Sequence, residues 1–373
     1  MDKKTYKYLI TFTPMEPYFF GGERTFGFGK ESDRKPPYYI VSEKKPSQPT
    51  LFGTLRYIIL SQNNALFDQK DAAKAGELVG AESFSFQKAL TYAEAPAQNF
   101  GIINCISPLF LIKAGEWYVP TPFDHKPGEK RAPNRFYTPF TMKSTSVAFG
   151  DGFTLHPSDY YAKERYGGGY VSLTDQKILF DDDIFISDVR TGINSHRTEN
   201  TSNGIEDDGS FFKKERYTLK EGISFAVTVE LSDIIAKEMK EMPITAVVYM
   251  GQDKSAFRCE ITKTDKDLVK ETEKALGGSG GVHRKYALSD ILPVGDSFDG
   301  CGCAYYIADT SVLRNLESMS YTGHALGRYK KSEKLYKLMR AGSVFFTEQD
   351  FCSNEALQKI GMNILCDLKG ENI

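Results

Sequence analysis

The sequence predicts an α+β fold whose framework is a ferredoxin-like β-α-β-β-α-β unit with a greatly expanded middle. Its N-terminal part has the pattern of a strand and then a helix, at residues 7–13 and 47–60. Residues 224–231, 232–242 and 244–250 have the pattern of a strand, a helix and a strand, and residues 251–261 turn into another strand. The long, loop-rich stretch between these two groups is therefore predicted to be an insertion.

The composition is that of an ordinary globular protein without a global attraction for nucleic acid. The chain has 373 residues, of which 40% are hydrophobic and 26% charged. This length favours two domains, or one domain with large insertions. Because the formal net charge is −2, any nucleic-acid site has to be a local basic patch.

The cysteines and histidines do not have the spacing of a metal site. The six cysteines form no C-x-x-C pair, and the five histidines are scattered. We therefore expect no metal and no cofactor. The N-terminal residues lack the pattern of a signal peptide, and no apolar run has the length of a membrane span. The simplest expectation is a protein with reduced thiols in the cytoplasm and no membrane partner.

The first predicted strand leads into a loop at residues 14–29, where glycines alternate with phenylalanines. Such a loop suits a surface on which RNA bases stack while the backbone comes near, with Arg24, Phe26 and Phe28 as candidate contacts. A tight hairpin with its phenylalanines turned inward explains the pattern equally well. The loop contains neither G-x-x-x-x-G-K-[ST] nor G-x-G-x-x-G, so it is only a weak signal for a phosphate-binding enzyme.

Residues 47–60 predict a helix with Ser47 as its N-cap and Pro49 in its first turn. Gly53 costs helix stability, and a glycine here lets another backbone approach closely. Arg56 lies on the same face, so the helix start is a candidate seat for phosphate. The alternative is a buried helix with a packing glycine and a solvated arginine.

Residues 183–219 predict a long β-hairpin arm. A strand ending near Arg190 is followed by a polar tip at residues 194–210, and residues 211–219 return as a strand carrying Lys213, Lys214 and Arg216. Cations at the base of an extended arm suit a grip on a nucleic-acid backbone. The acidic tip favours the alternative, a surface loop with solvated charges.

The remaining part of the chain adds smaller basic signals and further elements. Arg258 lies on the predicted strand 251–261, and the triplet His283, Arg284 and Lys285 follows a glycine-rich stretch at residues 277–281. Residues 265–275, 311–318 and 330–339 have helical patterns, and residues 340–346 turn into a strand.

The histidines offer little support for catalysis. A metal-independent ribonuclease needs a general acid and base, and only His196 and His283 lie in basic surroundings, each without a second histidine nearby. The sequence also lacks a G-x-S-x-G elbow and a zinc motif. The residues therefore favour RNA binding without catalysis. A metal-independent endoribonuclease and a phosphate-binding small-molecule enzyme remain the alternatives.

Several stretches, taken in their order along the chain, resemble a known superfamily. They are PMEPYFFGGERTFGFG, QPTLFGTLRYIIL, VRTGI with the polar arm, MRAGSVFF and KIGMN. In this order they resemble the RAMP superfamily of CRISPR effector subunits, and most closely the third subunits of type III-B (Cmr) complexes. The resemblance spans nearly the whole chain, although GHALGRYKK lacks the paired glycines expected there.

The resemblance implies two ferredoxin-like (RRM-like) RAMP domains, here residues 1–265, with inserted loops and the arm at about 100–220, and residues 266–373. It implies an antiviral ribonucleoprotein in which this subunit holds the 5′ handle of the guide crRNA. It also implies docking onto the large cyclase-polymerase subunit and a backbone subunit, with target RNA as an indirect partner. The residues then expected to contact RNA are Arg24, Phe26, Phe28, Gly53, Arg56, Arg190, Lys213, Lys214, Arg216, Arg258, His283, Arg284 and Lys285.

Overall fold

The computed structural model describes most of the chain in detail. The described residues are 5–21, 24–26, 38–66, 72–80, 84–86, 89, 98–126, 135–146, 153–158, 167–194, 210–232, 244–277, 284–293, 303, 305–313, 316–318, 329–331, 334–347 and 354–368. Within them the protein is a mixed α+β fold in which sheets dominate and helices are few.

The strands of the first two thirds of the chain are β1 (Thr5–Pro14), β2 (Arg24–Phe26), β3 (Tyr38–Val41), β4 (Ile103–Ile106), β5 (Phe110–Lys113), β6 (Glu116–Pro120), β7 (Met142–Ser146), β8 (Phe153–Pro157), β9 (Tyr170–Ser172), β10 (Ile178–Leu179), β11 (Phe185–Asn194), β12 (Ser210–Leu219), β13 (Ile223–Ser232) and β14 (Ile244–Met250). The later strands are β15 (Ser255–Lys263), β16 (Arg284–Ala287), β17 (Tyr305–Ile307), β18 (Thr310–Leu313), β19 (Leu316–Ser318), β20 (Tyr329–Lys331), β21 (Tyr336–Met339), β22 (Val344–Phe346) and β23 (Leu365–Leu368). The helices are α1 (Gln48–Gln62), α2 (Ala72–Val79), α3 (Asp181–Ile184), α4 (Leu268–Leu276) and α5 (Glu355–Lys359).

The largest sheet has nine strands in the order β10-β9-β6-β5-β13-β1-β15-β14, with β4 also pairing with β13. Strand β1 is central and antiparallel to both β13 and β15. Alternate residues of β1, namely Tyr8, Ile10 and Phe12, are buried in a core that they share with α1. This alternation is the period-2 pattern of a strand with one face on a core, so β1 forms where the sequence predicts it.

Helix α1 begins as the sequence predicts. Ser47 is its N-cap and accepts a hydrogen bond from the backbone of Thr50, and Pro49 lies in the first turn. These features start the helix because the N-cap oxygen satisfies a free backbone donor and proline needs none there. The apolar side chains on one side of the helix are buried in the core that α1 shares with the large sheet, namely Leu51, Leu55, Ile58 and Ile59.

A second sheet of four strands, in the order β11-β12-β3-β2, contains the predicted hairpin arm. A third sheet, antiparallel throughout, has the order β17-β22-β16-β23. Helix α4, whose N-cap is Asp267, packs in one core cluster with this third sheet and with Phe110 and Trp117 of the large sheet. The large sheet and the third sheet therefore share a hydrophobic core.

Two predicted helices are wrong. Residues 311–318 contribute to strands β18 and β19, and residues 330–339 contribute to β20 and β21. Strand β18 pairs with β21, and β19 with β20. Short apolar runs fit a helix and a strand equally well, and here pairing between segments decides. The helix predicted at residues 232–242 lies, from residue 233 onward, outside the described part of the chain.

Candidate nucleic-acid interface

The predicted arm is a two-stranded hairpin in continuous register. Strands β11 and β12 pair antiparallel from Phe185 opposite Leu219 to Asn194 opposite Ser210. Residues on both faces of β11 are exposed, including Ile186 and Val189, which point to opposite sides of the sheet. The hairpin strands are therefore confirmed, and β11 is the outer strand of its sheet, with only its first residue, Phe185, buried in the core among the residues whose burial is described. Residues 195–209, with most of the tip and His196, lie outside the described residues.

The glycine-rich loop and the arm belong to one sheet, which the sequence does not predict. Strand β12 pairs with β3, and β3 pairs with β2. One register row consequently runs across all four strands. It consists of Arg24, Ile40, Lys214 and Arg190, in that order. Residues opposite one another across a sheet share a face, so Lys214 and Arg190 of the arm lie on one face, in register with the backbone position of Arg24 in the loop. We call this set of four residues the arginine row.

Two arginines of the arm share one aspartate. Arg216 donates to Asp188 Oδ2 at 2.5 Å, and Arg190 donates to the same oxygen at 3.1 Å. The bond from Arg216 is the main reason why the pKa of Asp188 lies below its ordinary value. The Arg216 side chain is only 14% exposed, whereas that of Arg190 is 65% exposed. Arg190 is thus the arginine of this pair that can reach a ligand.

Lys214, in the middle of the arginine row, is held by the body of the protein. Its Nζ donates to both carboxylate oxygens of Asp253, at 2.6 and 2.5 Å, and lies 3.9 Å from the centre of the Phe19 ring. Lys214 is 20% exposed. Its neighbour Lys213 belongs to the opposite face of the strand and is exposed.

The face of the arm that carries Lys213 also holds a cluster of hydroxyl groups around Glu215. Tyr39, Tyr217 and Ser187 all donate to the Glu215 carboxylate, the last two at 2.7 and 2.8 Å. The bond from Tyr39 is the main reason why the pKa of Glu215 lies below its ordinary value. This cluster ties β3 to both strands of the arm, so it stiffens the sheet.

The glycine and the arginine predicted to form a phosphate seat on α1 have different surroundings. Gly53 is exposed, and a Cβ built there meets nothing within 4 Å, so no described backbone approaches it closely. Arg56 donates to the carbonyl of Gly80 at 3.2 Å and ties α1 to the end of α2. The structure therefore favours a structural role for Arg56.

The other predicted contacts are dispersed. Arg258 is exposed on β15, and its Nε lies 3.2 Å from Glu260. Arg24 and Phe26 lie in β2 by their backbone positions. Phe28 and His283 lie outside the described residues.

Arg284 and Lys285 are buried in ion pairs within the chain. Arg284 donates to Asp124, which also accepts a hydrogen bond from Tyr137 at 2.8 Å. Lys285 donates to Asp367 at 2.8 Å. The Arg284 side chain is 9% exposed and that of Asp124 is 1% exposed. The group formed by Arg284, Asp124 and Tyr137 therefore links β16 to the loop after β6. Beside it, burial lowers the pKa of His125, which bonds to the carbonyl of Pro122.

The sequence gives no local signal for the acids that decide these roles. Asp188 lies only two residues from Arg190, but its bond to Arg216 and the pairing of Asp253 and Asp124 with their cations depend on the fold. Among the described residues there is no cluster of three potential metal ligands. In the same part of the chain no helix is long and apolar enough to cross a membrane.

Comparisons with known proteins point to one family. The family model described as "CRISPR-associated protein (Cas_Cmr3)" matches residues 10–363. No curated protein matches the chain. A chain of the "Cryo-EM structure of the Type III-B Cmr-beta bound to cognate target RNA and AMPPnP, state 1" is 14% identical, with a TM-score of 0.43, 91% of this chain covered and 85% of that chain covered. A chain of the "Crystal structure of Csm1-Csm4 cassette in complex with AMPPNP" is 13% identical, with a TM-score of 0.31 and coverages of 91% and 87%.

Proposed function

The chain belongs to the Cas_Cmr3 family of CRISPR-associated proteins, and on that premise we propose that it is a non-catalytic RNA-binding subunit of a type III-B (Cmr) effector complex. In this role it holds the 5′ handle of the crRNA in the cytoplasm, as part of antiviral defence. It docks the large cyclase-polymerase subunit onto a backbone subunit and meets target RNA only indirectly.

The observation that carries the RNA-binding role is the exposed arm sheet. It presents Arg190 on one face and Lys213 on the other, and both side chains are exposed. A phosphate backbone is recognised by such local cations when the protein as a whole is nearly neutral. Arg24 occupies the other end of the arginine row, so the same sheet reaches from the glycine-rich loop to the arm.

The strand orders support two ferredoxin-like domains. In the large sheet, β15-β1-β13-β5 reads as the fourth, first, third and second strands of such a unit, and α1 lies between β1 and β5 in the chain. In the third sheet, β23-β16-β22-β17 has the same order, and α5 lies between β22 and β23. We propose domains at residues 1–265 and 266–373. Most of the insertion, at about 100–220, lies between β5 in the second-strand position and β13 in the third-strand position of the first domain.

The test is to purify the assembled complex with its RNA and to follow that RNA. The intact protein is expected to co-purify with crRNA, to protect its 5′ handle from nuclease, and to leave its length unchanged. A variant in which residues 195–209 are replaced by a two-residue turn should fold and assemble, but should lose protection where the handle meets the target-pairing region.

Three outcomes would contradict the proposal. A complex that assembles with crRNA in the absence of this subunit and shows the same handle protection would remove its RNA-binding role. Shortening of the RNA by the purified subunit without metal would replace the scaffold by a ribonuclease. Unchanged protection in the shortened variant would show that the arm is a passive loop.

A further inference from the structure

The arm sheet is fastened to the large sheet by a small group of side chains around Asp253. Asp253 lies in the turn between β14 and β15, and Lys214 lies on β12. The lysine donates to both carboxylate oxygens of this aspartate and stacks on Phe19, which belongs to the loop after β1. Three separate segments of the chain therefore meet at one charged pair.

The turn that carries Asp253 is itself fixed. The backbone of Gln252 donates to the carbonyl of Phe19 at 2.9 Å. Gly251 has a φ of +83°, and a Cβ there would lie 2.3 Å from that same carbonyl oxygen, so only glycine fits. The loop is held to the arm as well, because Tyr18 and Tyr217 exchange backbone hydrogen bonds at 2.7 and 3.2 Å. Asp253 thus stands on a rigid support.

Lys214 occupies an inner position of the arginine row. Arg190 lies directly opposite it on β11, and Arg24 lies at the far end, on β2. Neighbouring strands are about 4.8 Å apart, so a displacement of Lys214 moves both ends of the row. The ion pair is therefore one of the contacts that fix where the strands carrying the two arginines lie relative to the body of the protein.

We propose that Asp253 is a positioning residue for RNA binding. It has the wrong charge to contact a phosphate, and it acts by holding Lys214 and, through it, the arginine row. This inference rests on the proposed RNA-binding function. It reassigns Lys214 from a direct RNA contact to a structural anchor.

The experiment measures the affinity of the assembled complex for its own co-purifying crRNA at several salt concentrations. The variants are Asp253→Asn, Lys214→Met and the exchange of the pair, Lys214→Asp with Asp253→Lys. Glu221→Gln is the matched control, because Glu221 is exposed in the turn after β12 and its substitution changes the charge equally. A thermal unfolding scan of each variant establishes that it is folded.

If Asp253 positions the arginine row, its removal should change RNA affinity in the opposite direction to the removal of an acid that only repels phosphate. Removal of an acid should strengthen RNA binding or leave it unchanged, as we expect for Glu221→Gln. Asp253→Asn should instead weaken binding roughly tenfold, the size of one lost charge-assisted contact. The salt slope should fall by about 0.7 as well, because the displaced arginine row loses a phosphate contact. The exchanged pair should recover most of the affinity, because it restores the bond with reversed charges.

The opposite results would overturn the inference. Affinity for Asp253→Asn that equals or exceeds that of the wild type would show that the pair does not position the row. A salt slope that falls by about 0.7 in Lys214→Met, with no recovery in the exchanged pair, would make Lys214 a direct phosphate contact. If the wild-type complex shows no affinity for crRNA, the proposed function fails. An effect confined to the variants bears on this inference alone.

Discussion

Two basic clusters that look alike in the sequence have opposite surroundings in the structure. Residues 213–216, on β12, and residues 283–285, of which Arg284 and Lys285 begin β16, both concentrate cations. Arg284 and Lys285 are buried and paired with Asp124 and Asp367. On the arm, Arg216 and Lys214 are paired with aspartates and largely shielded, whereas Lys213 and Arg190 are exposed, although Arg190 also bonds to Asp188.

The comparison shows that the position of the acids decides what a cation does. A buried arginine with a carboxylate and a tyrosine around it is part of the packing, because an unpaired charge in the core is costly. An exposed arginine at the edge of a sheet costs little and remains available for a ligand. The predictions below test this division, from the largest expected effect to the smallest.

The largest effect is expected from Arg284→Ala. The substitution leaves Asp124 buried without its cation, which should lower the free energy of unfolding by about 3–5 kcal/mol. Chemical denaturation of the purified protein measures this loss. Lys337→Ala, on the exposed side of β21, is the control and should change stability by less than about 0.5 kcal/mol. If the Arg284→Ala variant is stable but binds RNA more weakly, Arg284 has an RNA-binding role, and the two clusters do not differ in the way described.

On the arm, the double substitution Arg190→Ala with Lys213→Ala should leave stability nearly unchanged and should weaken RNA binding. Both side chains are exposed, so stability should change by no more than about 0.5 kcal/mol for each. RNA affinity should fall, and the salt slope should fall by about 0.7 for each lost phosphate contact. Filter binding over a salt series measures both quantities. An unchanged salt slope would show that these two side chains face solvent and contact no phosphate.

These differences also indicate how far the sequence alone can lead. Strand β1, helix α1 and the hairpin β11–β12 follow from periodicity and from the Ser47 cap, which are local signals. The pairing of β3 with β12 and the burial of Arg284 depend on residues far apart in the chain. Local patterns carry no information about such partners, and for the same reason the strands β18 and β21 resemble helices in the sequence.

An intermediate effect is expected at Gly251, which fixes the arm to the body. Gly251→Ala places a Cβ 2.3 Å from the Phe19 carbonyl and strains a φ of +83°. We expect a loss of about 1–3 kcal/mol in unfolding free energy, measured by denaturation. Gly53→Ala, in open space on α1, is the matched control and should stabilise the protein by up to about 1 kcal/mol. Equal effects at the two glycines would show that the turn is not constrained.

The smallest effect is expected when the pH is lowered, which should reduce the order of the arm. Hydrogen bonds from Arg216 and Tyr39 lower the pKa values of Asp188 and Glu215 in the folded protein. Their contribution to the order of the arm is therefore complete above the unfolded pKa of about 4, and is lost as the pH falls through the folded values. A nuclear magnetic resonance titration of the arm amides should show this change. In Asp188→Asn the part that belongs to Asp188 should disappear, and its persistence would assign the transition to other groups.

The most direct test of the division between the two clusters is ultraviolet cross-linking of the RNA-loaded complex, followed by mass spectrometry of the cross-linked peptides. Our account predicts RNA adducts on peptides from β11 and β12, whose exposed residues include Arg190 and Lys213, and no adducts on β16, where Arg284 and Lys285 are buried. Adducts on β16 without any on the arm would contradict it.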